Sequence, residues 1–153
     1  MNIARWKHKL ARLRALSGAD RWLLLRAAWW LAVARLMLAV VPFRRLAERL
    51  SAAAPAGDSP HLGTAADPDF PRRVGQAVRI AAAHVPWRSD CFPQTLAARR
   101  LLRRRGYATT IHLGVERVGA AGLAGHAWLT CGETVVTGGG ELERYTELHR
   151  LSA

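Results

Sequence analysis

The sequence predicts an α+β fold with helices first and a small antiparallel sheet last, on three observations. Residues 1–50 are rich in Ala, Leu, Arg and Trp, with no glycine or proline between Ala19 and Val41. Two further stretches, 72–84 and 91–105, read as helices bounded by caps and breakers. After Gly106 the pattern changes to short β-branched or aromatic runs separated by glycines, the signature of antiparallel strands. A chain of 153 residues suffices for one domain with a buried core plus a helical attachment. The expected organisation is a helical N-terminal extension (1–51), a linker or irregular loop (52–71) and a core (72–153).

In the first helix, residues 23–41 are apolar enough to raise a transmembrane question, since about 20 such residues span a bilayer. Arg26 and Arg35 stand inside it, nine positions apart and therefore on opposite sides of a helix. A central arginine costs about 2.5–3.5 kcal/mol on insertion scales, which weakens a spanning helix. Three settings remain: packing against the core or a partner protein, which the sequence favours, a membrane surface, or a span. Arg5, Lys7, Lys9, Arg12 and Arg14 resemble the basic start of a signal peptide, but no small-residue cleavage site follows a short apolar core. Two cysteines make no disulfide framework, so the expected setting is reducing and cytoplasmic.

Pro55, Gly57, Pro60, Gly63, Pro68 and Pro71 mark the linker. Val74, Ala77, Val78 and Ala81 then share one face of a helix over 72–84, with Arg72, Arg73 and Arg79 elsewhere, and Val85-Pro86-Trp87 ends it. The helix over 91–105 starts with Ser89 or Asp90 as cap, tolerates Pro93 in its first turn and closes at Gly106. Strands are expected over 107–115, 126–131 and 134–137, followed by a Gly138-Gly139-Gly140 turn or flexible loop.

The formal net charge of +12 attracts acidic partners of any kind, including acidic peptides and membrane headgroups. No RNP-type strand or GXXG loop accompanies it, so nucleic-acid binding is not the expected function. The arginines over 99–105 read first as a solvated helix face that complements the helix C-terminus.

Chemistry concentrates on Cys91 and His126. Cys91 opens a helix, where unsatisfied N–H groups and the positive dipole end favour a thiolate. His126 lies in a strand-like Gly125-His126-Ala127-Trp128, too far along the chain for a local contact. An imidazole beside a thiol can hold its proton and later deliver it to a leaving amine, so the pair can open an amide through an acyl-enzyme. Of the other histidines, His8, His61, His84 and His149 read as exposed or capping groups, and His112 is the rival base but reads as a half-exposed sheet residue. Trp128, on the face of His126, either shields the pair from water or packs in the core. Gln94 reads as a capping residue in preference to an oxyanion donor. Cys131 alternates with Ala127 and Leu129 away from His126, so a zinc or disulfide shared with Cys91 is not expected.

The order of a helix opened by Cys and a strand pair carrying His is that of transglutaminase-like, papain-related cysteine enzymes. More closely, the chain resembles the lasso peptide biosynthesis B proteins, in their stand-alone leader-peptidase half. The resemblance rests on Val85-Pro86-Trp87-Arg88-Ser89-Asp90-Cys91, the 99–106 helix end, Ile111-His112-Leu113-Gly114-Val115 and Gly125-His126-Ala127-Trp128, and covers about 72–148. It implies a transglutaminase-like cysteine-protease core and a leader peptidase acting on a ribosomally made precursor peptide. Cys91 would be the nucleophile and His126 the general base and acid. It also implies a separate leader-recognition protein and an asparagine-synthetase-like macrolactam cyclase as partners, and no metal or organic cofactor.

One departure stands out. The family places an orienting acid on the strand after the histidine. A hairpin pairing Thr130 with Thr134 around Cys131-Gly132-Glu133 puts Gly138 opposite His126, and a register one residue longer puts Gly139 there. The third triad member is therefore unassigned, with Thr137, Glu141, a backbone carbonyl or a water as alternatives. A catalytically weak or inactive scaffold and a transglutaminase-type acyltransferase remain the competing functions.

Overall fold

The computed structural model describes residues 17–42, 45, 67–118 and 122–152. The basic residues at 5–14, His8, His61 and most of the expected linker lie outside them. Three helices, α1 (Gly18–Val40), α2 (Phe70–Ala82) and α3 (Cys91–Arg103), precede four strands, β1 (Thr110–Val118), β2 (Gly122–Cys131), β3 (Thr134–Thr137) and β4 (Thr146–Ser152). A 3-10 turn, Leu142–Arg144, leads into β4. The strands form one antiparallel sheet in the order β3-β2-β1-β4. This is the expected α+β arrangement.

The core lies between the helices and one sheet face. Leu31, Val74, Val78, Leu102, Ile111 and Leu129 are fully buried there. Each helix contributes a stripe at helical spacing: Leu23, Ala27 and Leu31 from α1, Val74, Ala77, Val78 and Ala81 from α2, Ala97, Ala98, Leu101 and Leu102 from α3. Ser17 caps α1, its hydroxyl accepting from the Asp20 N–H at 3.1 Å, and Arg73 of α2 donates to Asp20 at 2.8 Å. The first helix thus packs on protein along one stripe.

Element edges differ from expectation in ways the packing explains. Helix α2 starts two residues early because Phe70 and Pro71 are buried and Tyr107 Oη donates to the Asp67 carbonyl at 2.7 Å. Helix α3 ends at Arg103, where Gly106 N–H bonds Arg103 O and Tyr107 N–H bonds Leu102 O. Strand β2 extends back to Gly122, because β1 pairs along its whole length, from Val118 with Gly122 to Thr110 with Thr130. Strand β4 was not expected. It pairs with β1 as an edge and puts only Leu151 into the core.

The β2–β3 hairpin also corrects the expected register. Cys131, not Thr130, pairs with Thr134, leaving a two-residue Gly132-Glu133 turn with Gly132 at φ 56°. A shift then carries Leu129 to Thr137, with Val136 as the extra, buried residue. Gly138 consequently lies beside Trp128 rather than opposite His126.

Candidate active site

Cys91 is the first residue of α3, with Asp90 at the N-cap in an extended conformation. The Gln94 side chain turns back to donate to Ser89 O at 2.7 Å, holding the entry turn. Pro93 costs no helical hydrogen bond because a first-turn N–H has no intrahelical acceptor. One turn on, Thr95 is fully buried, its hydroxyl 3.4 Å from both Ala127 O and Thr137 Oγ1. These contacts fix α3 against β2 and β3.

Six residues after α3 the chain enters β1 at Thr110, level with Thr130 of β2, and Thr95, one turn after Cys91, lies against Ala127 of β2. Strand β3 stops at Thr137, paired with Leu129, so the edge of β2 beside Ala127 and His126 carries no further strand.

His126 alternates with Ala127 and so belongs to the sheet face away from the helical core, with Trp128 and His112. Its ring reaches Gly138 at the open edge, with Nε2 2.8 Å from Gly138 O. A carbonyl oxygen only accepts, so Nε2 carries the hydrogen and Nδ1 is left as the basic nitrogen. The ring is held between Tyr145, at 4.6 Å between centroids, and Trp128, at 6.0 Å. Trp128 lies over Gly114, the cross-strand partner of His126, where an added Cβ would fall 2.9 Å from the indole. Arg144 bonds Glu116 of β1 at 2.7 Å and so ties down the turn that presents Tyr145.

The rival histidine is differently engaged. His112 is buried, not half-exposed as expected, with Nδ1 3.1 Å from Glu147 Oε1 and Nε2 3.0 Å from Thr130 Oγ1. Its ring stacks on Trp128 at 5.1 Å and 4°. Both ring nitrogens are occupied, which leaves neither free to serve a thiol. Arg150 and, less strongly, His112 hold the Glu147 carboxyl well below the usual range, at about 2. Cys131 is half-buried, and burial pushes its thiol up.

The nearest link between the elements that carry Cys91 and His126 is Thr95, one turn after Cys91, against the carbonyl of Ala127, the residue after His126. Among the described residues no hydrogen bond joins Cys91 and His126. Tyr145 and Thr95 were not singled out as site residues in the sequence, Tyr145 lying outside every motif, and a backbone carbonyl was one of four open alternatives for the group that orients His126. Trp87 Nε1 and Ser89 Oγ, in the turn entering α3, are buried donors without partners. Among the described residues no group of three or more His, Cys, Asp and Glu side chains forms a metal site.

The family model of the Transglutaminase-like superfamily matches the chain over residues 22–150. No curated protein and no solved structure matches the chain.

Proposed function

The chain belongs to the transglutaminase-like superfamily, and from that premise we propose that it is a cysteine peptidase that removes the leader from a ribosomally made lasso precursor peptide before macrolactam closure. The observation that carries this reading is the bond from His126 Nε2 to Gly138 O, at 2.8 Å. A backbone carbonyl does what the missing acid would do. It fixes one tautomer and one ring orientation, and leaves Nδ1 as the nitrogen able to take the Cys91 proton.

In this mechanism the unsatisfied N–H groups opening α3 favour negative charge on Cys91 Sγ. The sulfur attacks the scissile carbonyl, and those N–H groups are the donors available to the resulting oxyanion. The proton held on His126 passes to the leaving amine as the C–N bond breaks. Water, deprotonated by the same imidazole, then releases the acyl group and restores the thiol. No step calls for a metal or cofactor. No hydrogen bond joins Cys91 and His126 among the described residues, and in this reading bound substrate closes that gap, as is common where catalytic contacts are long in the free enzyme. A separate leader-recognition protein supplies the precursor, and an asparagine-synthetase-like cyclase uses the freed amine, in a cytoplasmic setting.

The test is mass-spectrometric cleavage of the precursor peptide encoded beside the gene, by this protein with its recognition partner, against Cys91→Ala and His126→Ala. A leader-sized fragment lost in both variants supports the reading. Cleavage that survives Cys91→Ala, or no cleavage by the intact pair, overturns it. Incorporation of an added amine in place of water would assign acyl transfer instead.

A further inference from the structure

Helix α1 is apolar on two opposite faces, and the core uses only one. Leu23, Ala27, Leu31 and Ala34 form the buried stripe. At about 100° per residue, Trp22, Leu25, Trp29, Leu36 and Val40 cluster on the far side. They are between 64% and 73% exposed. The 23-residue helix has a mean hydropathy of 1.7 over its most apolar window, of which 17% is buried. A helix apolar all round is ordinarily enclosed on all sides, and a contiguous run of large exposed side chains marks an interaction surface.

Charge around this face selects the partner. The charged residues within α1 are Asp20, engaged by Arg73, and Arg21, Arg26 and Arg35. Arg26 and Arg104 line a groove with Trp22, Leu25, Trp29 and Trp30, and the Arg100 and Arg104 guanidiniums lie over the Trp30 ring at 5.1 and 5.6 Å. The seventeen residues before the helix add Arg5, Lys7, Lys9, Arg12 and Arg14 with no acid, in a chain of net charge +12. A second copy would set arginine against arginine. An anionic bilayer offers hydrocarbon for the tryptophans and leucines and phosphate for the arginines.

We propose that the outer face of α1 docks this protein in the plane of an anionic lipid surface. Trp22, Leu25, Trp29, Leu36 and Val40 enter the headgroup boundary, and the flanking arginines meet lipid phosphates. The helix lies on the membrane and does not cross it, because its opposite stripe remains in the domain core. The docking face is argued from α1 alone and is independent of the peptidase reading.

The experiment is flotation of the full chain with vesicles of phosphatidylcholine alone and of phosphatidylcholine with one quarter phosphatidylglycerol, at low and high salt. The wild type is compared with the Trp22→Ser/Trp29→Ser double variant, whose fold is checked by circular dichroism. Expected are binding to the anionic vesicles, weakening with salt, quenching of tryptophan emission by brominated lipid, and a loss of about tenfold or more in the variant. No binding overturns the proposal. Equal binding by wild type and variant, or binding without bromine quenching, also overturns it, by assigning the contact to charge alone. A dimer in light scattering that the variant abolishes, without vesicle binding by the wild type, assigns the face to a second copy.

Discussion

The His126 ring bonds Gly138 through the backbone, at a position where no side chain fits. Gly138 has φ 74°, and a Cβ there would lie 2.5 Å from Ala127 O and 2.8 Å from Trp128 Cβ. The left-handed backbone and the contact with β2 each exclude an L side chain, so this site is built for a carbonyl acceptor.

Gly138→Asp, which supplies the acid expected from the family pattern, is therefore predicted to do harm. Strain and overpacking together should cost about 2–4 kcal/mol, and Gly138→Ala should cost about as much. Thermal unfolding of both variants checks this. An aspartate variant with unchanged stability and faster cleavage would show that the carbonyl is a poor substitute.

The two cysteines should separate chemically. Cys91 opens a helix and is half-buried, whereas burial pushes the Cys131 thiol up. Brief iodoacetamide treatment near pH 7.5, followed by peptide mapping, should label Cys91 first, and Cys131→Ala should leave that label unchanged. Preferential labelling of Cys131 would count against a reactive thiol at α3.

Tyr145 acts on the base through its ring alone, stacked on His126 at 4.6 Å. Tyr145→Phe keeps the ring and should keep activity. Tyr145→Ala frees the imidazole to rotate and should lower kcat of precursor cleavage by about tenfold to a hundredfold with little change in KM. An equal loss in both variants would assign the role to the hydroxyl.

The helices and their buried stripes were legible because apolar residues recur at the helical period, as Val74, Ala77, Val78 and Ala81 do. The strand containing His126 was legible for its alternation, but Gly122 and Gly125 read as punctuation and hid its first half. Strand β4 was not legible: Glu147, Leu148, His149 and Arg150 are exposed, as suits an edge, and leave no alternating pattern. The absence of an acid after His126 was legible, and a backbone carbonyl stood among four replacements, but which of them holds the ring was not legible. One extra residue in β3 moves Gly138 beside Trp128, and periodicity does not foretell a bulge.

Glu147 makes stability depend on acid. Its folded pKa of about 2, against an ordinary 4.5, means that the carboxylate stabilises the fold above pH 4.5 and loses that contribution as pH falls toward 2. Arg150 is the first cause, at 2.9 Å, and His112 adds a second bond at 3.1 Å. The midpoint of thermal unfolding should fall across this window in the wild type and fall less in Glu147→Gln. Parallel curves would show that the pair contributes nothing net.

The last prediction concerns whether α1 belongs to the cooperative unit. Leu31 of α1 and Leu102 of α3 are both fully buried in one cluster with Val78 and Leu129. Truncating either leaves a cavity that the surrounding helices fill only in part, so Leu31→Ala and Leu102→Ala should each cost about 2–5 kcal/mol. For a domain of this size that lowers the unfolding midpoint by about 5–15 °C. Calorimetry should give one transition, shifted in both variants. If Leu31→Ala leaves the main transition in place and splits off an earlier one, α1 unfolds separately, and its core stripe would then be free to enter a bilayer as well.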